Sequence, residues 1–270
     1  MIPYIHIWHF SFPSFGLMAW MAAVGAAFIL DRNFRRAGIP VDAVSIVAIG
    51  VVSGMIGAKL LAVIETPIDI HEMNWRVLWS GTGFSWYGGV LFGIPTAILL
   101  GLRAKIGGLR MLDLTAPSMA IGNGIGRIGC FLSGDGCYGI DIKPVHFLFF
   151  TFRPWGMSFP KGLEPVFVPV YPTPLYEMAA AFLICGWLWW RGGKPRGTGD
   201  LAGEYLVLAG IARFLVEFIR RNPKVLWGLT DAQLASAVAV VAGIVLIWRA
   251  ATHPVKKPEE AAAVVAENAA

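Results

Sequence analysis

Long apolar runs alternate with short polar breaks along this chain, and the runs are longer than soluble helices need. A bilayer core takes about 20 mostly apolar residues per helix. Seven stretches reach that length, at about 13–30, 43–64, 84–102, 113–132, 173–190, 201–219 and 230–248. Local signals mark several ends. Thr173 before Pro174 reads as an N-cap followed by a proline at the first helical position. Thr230 with Gln233 fits a capping box. Gly192-Gly193 closes the fifth run, and Pro223 follows the sixth. The pattern predicts an all-α polytopic membrane protein with seven transmembrane helices.

The connections carry the orientation. Twelve Lys and Arg fall in one set of connections and seven in the other, with Lys59, Arg127 and Arg213 inside the runs. The richer side is expected in the cytoplasm. That puts the N-terminus outside and the C-terminus inside. Residues 1–250 then form the membrane domain, with 133–172 as a small extracytoplasmic cap, and 251–270 read as a disordered cytoplasmic tail. The 133–172 stretch is too apolar for a linker, as FLFFTFRPWG and VFVPVYP show. The first residues lack a basic segment, so they do not read as a cleaved signal peptide. No internal repeat of the kind found in inverted-repeat transporters is evident.

Composition sharpens this reading. The chain is 56% hydrophobic and 14% charged, with a mean hydropathy of +0.64. Soluble domains are nearer 25% charged, and disordered chains are more polar still. Eleven Trp and 17 Phe suit aromatic belts at two interfaces. The net charge of +5 suggests anionic lipid in so apolar a chain, not nucleic acid. Three cysteines, Cys130, Cys137 and Cys185, show no CxxC pair and no His/Cys metal spacing, so no metal site is expected. Cys130 and Cys137 remain open between a disulfide, a reactive thiol and inert small residues. Cys185, in mid-run, reads as packing.

The polar residues inside the runs gather at one depth. Lys59 and Glu65 stand toward the outer end of the second run, and Tyr87 opens the third. Arg127 lies near the outer end of the fourth, Tyr176 and Glu177 open the fifth, and Arg213 and Glu217 lie in the outer part of the sixth. A charge at mid-bilayer costs roughly 2.5–3.5 kcal/mol on insertion scales, so such residues face an interior or a wet cavity. Arg213 and Glu217, four apart, share a helix face. They are either a self-neutralising pair or an Arg oriented by Glu to receive a phosphate, which the planar guanidinium grips two oxygens at a time. Arg127 has no carboxylate three or four residues away on its own helix, so it needs an external anion or a partner from another helix. Gly122 and Gly126 form a GxxxG spacing suited to helix packing. Asp135, between Gly134 and Gly136, is either a base, a headgroup acceptor or a turn cap. The basic outer residues Arg153, Lys161, Arg220, Arg221 and Lys224 read either as a solvated face or as a surface that raises the local concentration of anionic lipid.

Four segments resemble the prolipoprotein diacylglyceryl transferases of bacteria. GRIGCFLSGDGCYG is similar to that family's Gly-Arg-x-Gly-Asn-Phe signature, and FSWYGGVLFG to its Phe-His-Gly-Gly segment. YPTPLYE resembles His-Pro-Ser-x-Leu-Tyr-Glu, and IARFLVEFIRRNP resembles Arg-Phe-x-x-Glu-Phe-x-Arg. They occur in family order over roughly residues 80 to 225, and FGLMAW near Phe15 weakly resembles the family's first helix. The resemblance implies a seven-helix body with an extracytoplasmic cap in the cytoplasmic (inner) membrane, and an active site at the outer face. It implies transfer of a diacylglyceryl group from phosphatidylglycerol to the lipobox cysteine thiol of a preprolipoprotein, giving a thioether and glycerol phosphate, with no cofactor. Arg127 and Arg213 would hold the lipid phosphate, with Glu217 beside the second. Tyr87 and Asp135 join the two arginines as catalytic candidates, and Tyr176, Glu177, Gly88 and Gly89 as substrate-binding candidates. The sequence departs from the pattern at Tyr87 for His, Cys130 for Asn, Ser133-Gly134-Asp135 for Asn-x-Glu, Phe15 for Tyr and Tyr171 for His. The phosphate-binding half is kept and the proton-handling half is changed. Alkyl transfer to sulfur needs a thiolate, and an ordinary thiol of pKa about 8.5 is mostly protonated near neutrality. Tyr87, Asp135, Glu177, His9 and His146 are the candidate bases. A non-catalytic relative that binds phospholipid or lipoprotein at the same site is the competing expectation.

Overall fold

The computed structural model describes residues 1–65, 83–143, 145–147, 150–152, 154–194 and 197–253. Arg153 and the tail from 254 onward, both of which enter the sequence reading, lie outside the described residues.

Among the described residues there are seven long helices. They are α1 (Ser14–Arg36), α2 (Ala43–Glu65), α3 (Trp86–Arg103), α4 (Gly108–Ser133), α5 (Thr173–Arg191), α6 (Asp200–Glu217) and α7 (Asp231–Thr252). Each coincides with one of the apolar runs. By length and composition α1, α2, α3 and α7 are apolar enough to cross a membrane. The other three carry Asp113, Glu177 and Glu217, while Lys59 is a buried charge on α2. The outer faces support a lipid environment. Ile64, Leu183, Val238 and Trp248 are all exposed, and a surface this apolar is unstable against water.

Local chemistry sets the ends. Thr230 accepts from the Gln233 amide while the Gln233 side chain accepts from the Thr230 amide, completing the expected capping box at α7. Asp42 accepts from the Val44 and Ser45 amides at the start of α2. Gly134, with φ +60°, ends α4 in the left-handed conformation that glycine adopts freely. Thr173 departs from the expected cap: its hydroxyl donates to the Cys137 carbonyl at 2.5 Å instead of accepting from its own helix. It ties the start of α5 to the loop after α4. α1 runs on to Arg36 and α7 to Thr252, each past the predicted apolar run.

Helix α4 is the centre. It packs against α1, α3, α5 and α6, while α2 packs on α3 and α6 on α7. The glycines in closest contact are not the predicted GxxxG pair. A Cβ on Gly124 would meet the Phe182 ring at 2.4 Å, and one on Gly129 would meet Met18 at 3.0 Å, whereas Gly126 has open space. Phase explains it: Gly124 faces α5, while Gly122 and Gly129, seven apart, face α1, and Gly126 falls between neighbours. Gly88 meets the Gly57 backbone, where an added Cβ would lie 2.2 Å from the Gly57 oxygen.

Four antiparallel hairpins are found among the described residues: β1 (Tyr4–Ile7) with β2 (Phe10–Pro13), β3 (Val145–Phe147) with β4 (Phe150–Phe152), β5 (Met157–Phe159) with β6 (Val166–Val170), and β7 (Lys224–Leu226) with β8 (Leu229–Thr230). They cluster at the end of the bundle where α4 and α6 finish and α1, α5 and α7 begin. The Ile2 amide donates to the Leu132 carbonyl, the Gly139 amide to Tyr171, and the Ile140 amide to Ile219. A small core of Tyr138, Phe159 and Val170 closes this layer.

Candidate active site

Beneath the hairpin layer, three helices bring charge to one point. Glu177 sits near the start of α5, one turn in from Thr173. Its side chain is 7% exposed, yet it meets three guanidiniums. Arg127 of α4 places Nε 3.2 Å from Oε2. Arg213 of α6 places a terminal nitrogen 2.5 Å from Oε1. Arg220, just past α6, reaches Oε2 at 3.3 Å. Glu217 is fully enclosed and forms the second tier: Arg213 lies 2.9 Å from its Oε2, Arg220 3.8 Å away, and the Asn222 amide donates to Oε1. Arg127 therefore has its partner from another helix, as its isolation on α4 requires. The Arg213–Glu217 pair forms, but it is not self-contained.

The charge and exposure of this cluster say what it can hold. Three guanidiniums face two carboxylates at ion-pair distance, which leaves one positive charge. The carboxylates are shut in, while the side chains of Arg127 and Arg213 keep 21% and 27% of their surface exposed. The accessible groups are donors, and the surplus is positive. Such an arrangement receives an anion, with Glu177 and Glu217 fixing the angle at which the guanidiniums are offered.

Arg220 is the residue the sequence reading placed wrongly. It is not part of a solvated face: its side chain is 10% exposed and it joins the cluster. Its backbone pairs with Gly139, where a Cβ would lie 2.3 Å from the Ile219 oxygen, so that only glycine lets the two segments close. The motif IARFLVEFIRRNP holds the signal, since Arg220 stands at the final arginine of Arg-Phe-x-x-Glu-Phe-x-Arg. Arg221 does face outward, pairing with Asp141 at 2.6 Å.

The remaining candidates divide by location. Tyr87, at the start of α3, lies near enough to Asp231, in the first turn of α7, and to Arg213 and Glu217 to feel their charges. Asp231 was not singled out from sequence. Gly88 and Gly89 turn toward α2, so helix contact accounts for both. Tyr176 is half-buried and beside Tyr171. His9 is exposed in the turn between β1 and β2, and His146 belongs to β3. Lys59 is buried, with Nζ 4.9 Å from the centre of the Phe84 ring.

Asp135 does cap a turn, accepting from the Cys137 amide at 3.2 Å. Its carboxylate also lies with the thiols of Cys130 and Cys137, the three ligating atoms all within 4.8 Å of one another. The expected lack of metal-binding spacing thus does not describe what the fold assembles. The Cys130 thiol donates to that of Cys137 and holds it below its ordinary value; the charge of Arg220 adds to this, against burial.

Fold and site together define a helical membrane protein with a partly open, positively charged anion site among its helices. The family model for prolipoprotein diacylglyceryl transferase matches residues 3–249. A phosphatidylglycerol–prolipoprotein diacylglyceryl transferase of Clostridium tetani is 32% identical over 236 residues, covering 85% of this chain and 90% of that protein. One from Pseudomonas putida is 32% identical over 266 residues, with 90% and 92% covered. The chain belongs to the prolipoprotein diacylglyceryl transferase family.

Proposed function

We propose that this protein moves the diacylglyceryl group of phosphatidylglycerol onto the lipobox cysteine of a preprolipoprotein, at the outer face of the bacterial cytoplasmic membrane. All seven helices cross the bilayer in this reading, with the hairpin layer as the extracytoplasmic cap. The observation that carries it is the surplus guanidinium charge offered from α4 and α6 around the buried Glu177.

The lipid phosphate docks on the exposed edges of Arg127 and Arg213. The substrate thiolate attacks the glyceryl carbon that bears the phosphate oxygen. A carbon–sulfur bond forms, the carbon–oxygen bond breaks, and its electron pair leaves on glycerol phosphate. Charge grows on that oxygen in the transition state, where fixed guanidiniums stabilise it without reorganising. Glu177 is a positioning residue, because its oxygens are already engaged. Tyr87 takes the thiol proton while passing its own to Asp231, the carboxylate whose charge acts most strongly on it.

The test is direct. Purified protein, phosphatidylglycerol and a lipobox peptide should give a thioether-linked diacylglyceryl peptide. Arg127→Ala and Arg213→Ala should abolish product, and Lys at either position should restore it only partly, since an ammonium lacks the two-point grip. Lipid binding by the wild type without any product would overturn the transferase reading in favour of a binding protein.

A further inference from the structure

Three metal-ligating side chains meet next to the arginine cluster, and the proposed transfer chemistry leaves them without a role. Cys130 is in the last turn of α4, and Asp135 and Cys137 follow in the loop. Gly134 at φ +60° and Gly136 at φ +80° turn the chain back sharply, bringing the Asp135 carboxylate and the Cys137 sulfur over the helix end. Asp135 spends one oxygen on the Cys137 amide, and Thr173 pins the Cys137 carbonyl from α5. The thiols are unoxidised, Cys130 is buried, and the other two side chains are half-buried.

We infer that Cys130, Asp135 and Cys137 form a binding site for one thiophilic divalent cation, with zinc the best match. Two sulfur donors and one carboxylate select zinc over magnesium or calcium, which demand oxygen shells. Tetrahedral zinc with sulfur at about 2.3 Å sets its sulfurs about 3.8 Å apart, a spacing that fits inside the 4.8 Å spread of these ligand atoms. Charge agrees. Two thiolates and a carboxylate around a divalent ion carry one net negative charge, and Arg127 and Arg220 both act electrostatically on this cluster. Bound as two thiol protons leave, the ion would keep the site's single negative charge beside these arginines and clamp the loop to the end of α4. Three protein ligands leave the fourth position to water.

The site is testable without any transferase assay, so its failure is separable from failure of the proposed reaction. Reduced full-length protein in detergent is titrated with Co²⁺. One ion per chain should bind, with the intense sulfur-to-cobalt charge-transfer absorption and visible bands of tetrahedral cobalt, and Zn²⁺ should displace it. Zn²⁺ should also protect two of the three thiols of the wild type from alkylation. Cys130→Ser and Cys137→Ser should each abolish the charge-transfer band, and Asp135→Asn should weaken binding at least about tenfold. Cys185→Ser, on the middle of α5, should leave all of it intact. No cobalt band in wild-type protein whose three thiols react freely would overturn the proposal. So would a Cys130–Cys137 disulfide that re-forms at once after reductant is removed and in the presence of Zn²⁺.

Discussion

Buried charge is found at both ends of the helix bundle, and the two ends handle it differently. At the end away from the hairpins, Asp113 of α4 accepts from the Gly199 amide at 2.6 Å and the Ala202 amide at 2.9 Å, capping α6. Nearby, Arg191 forks onto Glu204, and Asn33 donates to the Leu114 carbonyl at 2.8 Å. Each polar group there is answered by the chain itself. At the hairpin end, Glu177 and Glu217 are answered by more guanidinium than they need, and two of the arginines stay partly open. Local satisfaction makes a joint, whereas a fixed surplus makes a site. The depth of burial is similar at both ends, so burial alone does not tell them apart.

That contrast can be broken in graded ways. The largest effect is expected at the surplus end. Arg213→Ala should lower kcat by about 10²–10³ or more, read as thioether product per time, because it removes a donor to the leaving phosphate and unbalances both carboxylates. Asp113→Ala should do the reverse. It leaves two buried amides unpaired at about 1–3 kcal/mol each, so thermal unfolding in detergent should move down markedly while the activity of the folded fraction holds. If Asp113→Ala instead removes activity without loss of stability, the division into joint and site is wrong. Thr230→Ala should cost about 1 kcal/mol through the lost capping box, and also lower the rate modestly, since the cap holds the turn that carries Asp231. The smallest effect is expected at Arg191→Ala, about 0–1 kcal/mol for a partly exposed pair, with no change in rate.

The two ends also differ in how far they could be read from residues. Arg127, Arg213 and Glu217 stand out because a charge in an apolar run has no local solution. Glu177 was only one candidate among several, since its role as hub depends on α4, α5 and α6 meeting. Arg220 was missed for the opposite reason: it sits with Arg221 and Lys224 outside a run, where a cation carries no contrast with its neighbours. Gly88 was read through its motif as a ligand contact, whereas its backbone meets Gly57 across the α2–α3 crossing.

Hydropathy and capping act within one run and its flanks, so the sequence alone determined the seven helices, several of their ends and the depth at which the charges gather. Which guanidinium meets which carboxylate, and that Cys130 and Cys137 come to lie with Asp135, depends on the relative rotation and crossing of separate helices. Those are set by close packing at Gly57, Gly88, Gly124 and Gly129 and by the hairpins that tie the helix ends, and no local pattern encodes them. Only the tertiary structure decided that three arginines converge on one glutamate with charge to spare.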